Sequence, residues 1–112
     1  MENRDCRFSY SDFDDSLIVS CKDDKENVKD RFNFGNFIFN LTGRGKIVGI
    51  QVLNASEVLQ DYNIKSNLSD LKNVSLITGQ KENCLFVALV LMFKNQEAKI
   101  PITLMSMPPI AN

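Results

Sequence analysis

The sequence predicts an α+β fold that is mostly β, a curved antiparallel sheet or incomplete barrel of about six to seven strands with one or two short helices. Three observations carry this. Apolar side chains alternate with period two at Phe37, Phe39 and Leu41, at Val48, Ile50 and Val52, and at Ile100, Ile102 and Leu104. Turn chemistry separates such runs, most clearly in SDFDD at residues 11–15 and TGRG at 42–45. Stretches with helical character are confined to a few residues after Asn54 and after Ser66.

Taken in chain order, Phe8 and Tyr10 alternate with Arg7 and Ser9, which gives a first strand. Leu17, Val19 and Cys21 alternate with Ile18, Ser20 and Lys22, which closes a hairpin across the aspartate-rich turn. Residues 23–27, DDKEN, form a polar loop. Residues 28–34 carry Val28, Arg31, Phe32 and Phe34 and read as a strand or the entry to one. Phe32 and Phe34 are out of phase with Phe37 and Phe39, so a bulge or bend is expected at Gly35.

The chain is organised around residues 36–56, two strands joined by a tight turn and closed by a helix start. Gly43 and Gly45 supply the positive φ values a reversal needs. Asn54 and Glu57 have capping-box spacing, so a short helix follows from about Ser56 to Asp61, with Val58 and Leu59 turned onto the sheet. Ser66 is placed to cap one further helical turn containing Leu68 and Leu71.

The remainder reads as a three-stranded meander. Residues 74–77 form a strand and 79–83 a loop. Residues 84–93, CLFVALVLMF, are apolar at every position. Leu, Ala and Met favour a helix there. Ten residues with Phe86, Val87, Val90 and Phe93 favour a strand covered on both faces, by a rolled sheet, a helix layer or a dimer partner. Pro101 lacks a ladder donor, which places the last strand at an edge or leaves that N–H position facing outward. An extended tail is expected from Met105 to Asn112.

The 112 residues form a single domain, with hairpins and a short helix over 8–60 and a helical turn and meander over 66–107. Apolar content of 44% and charged content of 24% are those of a soluble globular chain. Net charge is −1, which gives no bulk attraction to nucleic acid or anionic lipid. It is unevenly spread: residues 1–30 hold nine acids and five bases, residues 31–112 five acids and eight bases. There is no histidine, the commonest acid–base group and metal ligand. Cys6, Cys21 and Cys84 are odd in number and form no C-x-x-C. That fits a reducing, cytoplasmic setting with Cys21 and Cys84 as core thiols. The first ten residues lack the apolar core of a signal peptide, and the longest apolar run is too short for a spanning helix.

The stretch GKIVGIQVLNAS, with Gly45, Ile47, Val48, Gly49, Ile50, Val52, Leu53, Asn54, Ala55 and Ser56, resembles the signature of a prokaryotic family known as domain of unknown function 2283. An aspartate-containing first hairpin belongs to that signature, and residues 10–19, YSDFDDSLIV, are similar to it; the likeness covers roughly residues 8–60. It implies a small β-rich fold and no established activity. Some relatives resemble the smaller partner of toxin–antitoxin-like gene pairs.

Residues that could carry chemistry each have a plain alternative. Asp12, Asp14 and Asp15 resemble part of a calcium loop but lack its glycine and its distal glutamate, so a solvated turn is the simpler reading. Gly43, Arg44, Gly45 and Lys46 could hold an anion, or form a charged hairpin tip that resists edge aggregation. Gly49 belongs to the family-like strand. Asn54 and Ser56 could face a ligand, or could cap and start a helix. Ser56 has no histidine to act as its base. The aromatic row Phe32, Phe34, Phe37, Phe39 could stack bases, but few cations flank it and core packing explains it. No cofactor, metal ligand set, nucleic acid or membrane partner is implied. Three function classes follow: a protein-interaction module, homodimeric or antitoxin-like; a small-ligand or anion binder; and an enzyme using carboxylate or Cys chemistry.

Overall fold

The structure, a computed structural model, describes residues 2–81 and 84–105. Its elements are β1 (Glu2–Ser11), β2 (Ser16–Ser20), β3 (Asp30–Phe34), β4 (Phe37–Leu41), β5 (Ile47–Val52), α1 (Ala55–Asp61), a single 3-10 turn (Leu68–Asp70), β6 (Leu71–Lys81), β7 (Cys84–Phe93) and β8 (Glu97–Met105). The eight strands form one antiparallel, curled half-barrel sheet in the order β3-β4-β5-β2-β1-β6-β7-β8. β1 joins its halves. Glu2 to Cys6 pair with β6, and Arg7 to Ser11 pair with β2.

The curl encloses one core. Leu17, Val19, Phe39, Ile50 and Val52 from one half, and Val74, Leu76, Leu89, Leu91 and Ile100 from the other, are buried on the inner face. α1 lays Ala55, Val58 and Leu59 onto that face, and Ile64 and Leu68 continue the cover. The expected meander is β6–β7–β8, with Pro101 on the edge strand β8.

Several local expectations are corrected. Gly35 is not a bulge. Phe34 pairs directly with Phe37, so Gly35-Asn36 is a two-residue hairpin loop with φ 58 at Gly35. Reversal there sets Phe32 opposite Phe39 and Phe34 opposite Phe37, and all four rings share the inner face. Phe32 stacks on Phe39 with centroids 5.0 Å apart. The loop expected at 79–83 is strand as far as Lys81, where the β6–β7 ladder continues to Lys81 opposite Cys84; residues 82–83 lie outside the described residues. The 3-10 turn is capped by Asn67, whose side chain accepts from Ser69 N–H at 3.0 Å; Ser66 instead donates to Gln96. The tail from Ser106 onward lies outside the described residues, as does the side chain of Cys84.

Cys21 is not a free thiol. It forms a disulfide with Cys6, with Cα atoms 4.4 Å apart. The register explains the pairing: Arg7 faces Ser20, so the next residues outward, Cys6 and Cys21, face each other where β1 leaves β2 for β6. Such a bond weighs against the reducing compartment inferred from the cysteine count.

β7 is a strand with one face in the core and the other only partly hidden, with Val90 7% exposed between Phe86 and Met92. Val87, Leu89, Leu91 and Phe93 point into the core. Phe86 and Met92 on the other face are 41% and 40% exposed.

Candidate functional site

The two stretches that carry the family resemblance meet at the start of α1. Asn54 does not cap it. Its backbone is left-handed (φ 52, ψ 48), its side chain accepts no helix N–H, and its amide donates to Asn36 Oδ1 at 3.3 Å. The cap comes from Asp15, 41 residues before Ser56. Its carbonyl accepts from Ala55 N–H at 2.9 Å. Its carboxylate accepts from Ser56 N–H at 3.1 Å, from Ser56 Oγ at 2.6 Å and from the Tyr10 hydroxyl at 2.7 Å. Asp15 thus satisfies amides that a seven-residue helix cannot satisfy itself.

Electrostatics defines what this cluster can do. Burial pushes the Asp15 carboxyl up, but the bonds from Ser56 Oγ, the Tyr10 hydroxyl and Ser56 N–H outweigh it and hold it below the usual range. Bonding to Asp15, then burial, then the charges of Asp15, Asp12 and Asp14 push the Tyr10 phenol up to about 12. Asp14 is lowered, chiefly by the Ser16 hydroxyl and then by Ser11. A general base works best with a pKa near the operating pH. An aspartate held low is a poor proton acceptor, so the Ser56–Asp15 contact acts as a helix cap rather than an activated nucleophile. A cavity of about 560 Å³ adjoins it, lined by Tyr10, Ser56, Leu59, Gln60 and Ile64 among others.

Gly43 and Gly45 lie at the other end of β5. Of the two glycines expected to supply positive φ, only Gly45 does, at φ 82, and Thr42 Oγ1 accepts from the N–H groups of Arg44 and Lys46 at 3.3 and 3.2 Å. A shallow cavity of about 490 Å³ beside this turn is lined by Lys25, Lys29, Arg44 and Lys46, with Glu26 at its side. Glu26 accepts from Asp23 N–H at 3.0 Å, from Lys46 Nζ at 2.9 Å and from Arg4 Nη2 at 3.1 Å. These donors, the Asp23 amide foremost, hold its carboxyl down at about 2. Gly49 is a packing residue. A Cβ there would meet the Val19 carbonyl oxygen at 3.0 Å and Asn40 Nδ2 at 3.2 Å. The five residues singled out from the sequence, Gly43, Gly45, Gly49, Asn54 and Ser56, therefore do not converge on one site.

The second apolar face that the sequence predicts for residues 84–93 is the outer face of the C-terminal strands, although none of the five singled-out residues lies on it. Ladder partners share a face, so the register lays out rows across it. One row reads Gly79–Phe86, the next Asn3–Ile77–Ala88–Pro101, the next Asp5–Ser75–Val90–Lys99, and the last Asn73–Met92–Glu97. Val90 is 7% exposed yet stands outside the inner core. The signal was present in the even-numbered residues of 84–93, all apolar where a monomeric sheet exterior would alternate to polar.

Among the described residues, no group of three or more Asp, Glu, Cys or His side chains is placed to hold a metal ion, and no helix is long and apolar enough to cross a membrane. No family model, curated protein or solved structure matches the chain.

Proposed function

We propose that this chain is a protein-interaction module, homodimeric or the antitoxin-like partner of another protein, that docks through the outer face of β6, β7 and β8. The observation that supports it is the stripe Phe86, Ala88, Val90 and Met92, flanked by Ile77 and Pro101. Phe86 and Met92 are 41% and 40% exposed, so covering what remains of each contributes about 1 kcal/mol, and the rest of the stripe must add to it. Kinship with the domain of unknown function 2283 family belongs to the same proposal. Its support is that the aspartate hairpin and the N-A-S stretch are bonded to each other through Asp15 and Ser56.

The test is the mass in solution of the chain, alone and co-expressed with the products of adjacent genes, against a Phe86→Ser/Met92→Ser variant. An assembly lost in the variant, with its melting temperature kept, is the expected result. Equal monomeric mass for both under every condition overturns the proposal. Cytoplasmic placement is part of the proposal on composition alone, and the Cys6–Cys21 disulfide counts against it: thiols trapped in intact cells decide, a reduced pair keeping the protein in the cytoplasm and an oxidised pair moving it to an oxidising compartment.

The basic cavity beside the β4–β5 turn supports a second reading, anion binding. Inorganic phosphate or pyrophosphate should then raise the melting temperature, and a Lys29→Ala/Arg44→Ala variant should abolish the effect.

A further inference from the structure

The partner that best fits the outer face is a second copy of this chain. The inference rests on the docking reading above and adds the occupant and its orientation. On this side the sheet consists of four adjacent strands, β1, β6, β7 and β8. A two-fold axis parallel to the strands and midway between β6 and β7 would set β7 of each copy over β6 of the other, and β8 over β1. Residues sharing a row then meet their row-mates from the other copy.

The chemistry of the rows is self-complementary under that operation. Phe86 falls on Gly79, which offers no side chain, and Ala88 falls on Ile77, so large meets small twice. Val90 falls on Ser75 and Met92 on Asn73. At the rim, Lys99 of each copy falls on Asp5 of the other, since both belong to the row of Val90 and both are exposed. In the next row Glu97 falls on the side where Arg7 follows Asp5 two residues along the same face of β1, and the order of charge is inverted. An acid at one margin and a base at the other in each row is self-complementary, as an isologous contact needs. A two-fold lying across the strands would instead set β8 over β8 and lose these matches. We propose that two copies pack face to face as an aligned sheet sandwich about the axis between β6 and β7.

The full chain is tested by sedimentation equilibrium. A dimer is expected. Lys99→Glu alone and Asp5→Lys alone should each weaken it by about tenfold or more, because like charges then face each other twice per dimer. The double variant Asp5→Lys/Lys99→Glu should restore it. Both positions are exposed strand sites, and circular dichroism establishes that each variant is folded. A dimer abolished by Phe86→Ser/Met92→Ser but indifferent to all three charge variants would overturn this arrangement while leaving the face as a docking surface. A monomeric chain whose face binds a different protein would overturn self-pairing and keep the module. A monomer with no partner, unaffected by Phe86→Ser/Met92→Ser, would overturn both.

Discussion

The two halves of the sheet share an inner face and differ on the outer one. Across β3, β4, β5 and β2 the outward rows read Asn33–Ile38–Gln51–Ile18 and Arg31–Asn40–Gly49–Ser20, in which apolar side chains are single and separated. Isolated apolar residues on an exterior are ordinary. Across β6, β7 and β8 the outward apolar residues are contiguous. On the outward face Ile18, 49% exposed, stands alone in the N-terminal half, whereas Phe86 and Met92 belong to a continuous apolar stripe in the C-terminal half. Because both halves use the same architecture, the difference lies in side-chain identity alone.

The comparison can be pressed at four points. If the inner face is one core, Phe39→Ala in the first half and Leu89→Ala in the second should unfold the same cooperative unit. The losses should be about 3–5 and 2–5 kcal/mol, read by urea denaturation. Two separate transitions in either variant would divide the molecule. The Cys6–Cys21 bond closes a loop of sequence separation 15 at the junction of the halves, so its removal by Cys6→Ser/Cys21→Ser should cost about 3 kcal/mol in the same assay.

Glycines in the first half sharpen the contrast between tight and open surface. Gly49→Ala forces a methyl against the Val19 carbonyl and should cost about 1–3 kcal/mol. Gly43→Ala meets nothing nearer than Lys29 Cγ at 3.5 Å and should stay within about 0.5 kcal/mol.

The smallest effects are those of pH. Glu26 has its folded pKa depressed to about 2 from 4.5. Its contribution is therefore present above 4.5 and lost as pH falls from 4.5 through about 2. Glu26→Gln should flatten the melting temperature over that window. Tyr10 is shifted the other way, from 10.0 up to about 12. Its bond to Asp15 supports the fold below 10.0 and is lost as pH climbs toward about 12. Asp15→Asn should bring that phenol's absorbance transition down toward 10.0.

Alternation made most of the strands legible, because one face of each is buried and a period-two pattern reports that directly. Face assignments failed where they depended on the turn. Phe32 and Phe34 looked out of phase with Phe37 and Phe39 until the two-residue loop at Gly35 reversed the chain. The disulfide was within reach of the same reasoning. A four-residue turn that sets Ser11 opposite Ser16 also sets Cys6 opposite Cys21. The cap on α1 was not within reach, since Asn54 and Glu57 carry a plausible local signal and the donor set goes to a residue 41 positions away. Residues 84–93 were correctly read as a strand, but uniform apolarity does not say what covers the second face.

The remote cap also constrains the order of assembly. Seven residues of helix are too few to persist alone in water, and here even the terminal amides depend on a carboxylate delivered by a different hairpin. α1 is therefore expected to condense late, after β1 and β2 have turned back and β5 has zipped alongside them, with low φ-values for Ala55 and Ser56 as the check. During synthesis this sequence of events is natural, because the hairpin bearing Asp15 leaves the ribosome well before Ser56 does.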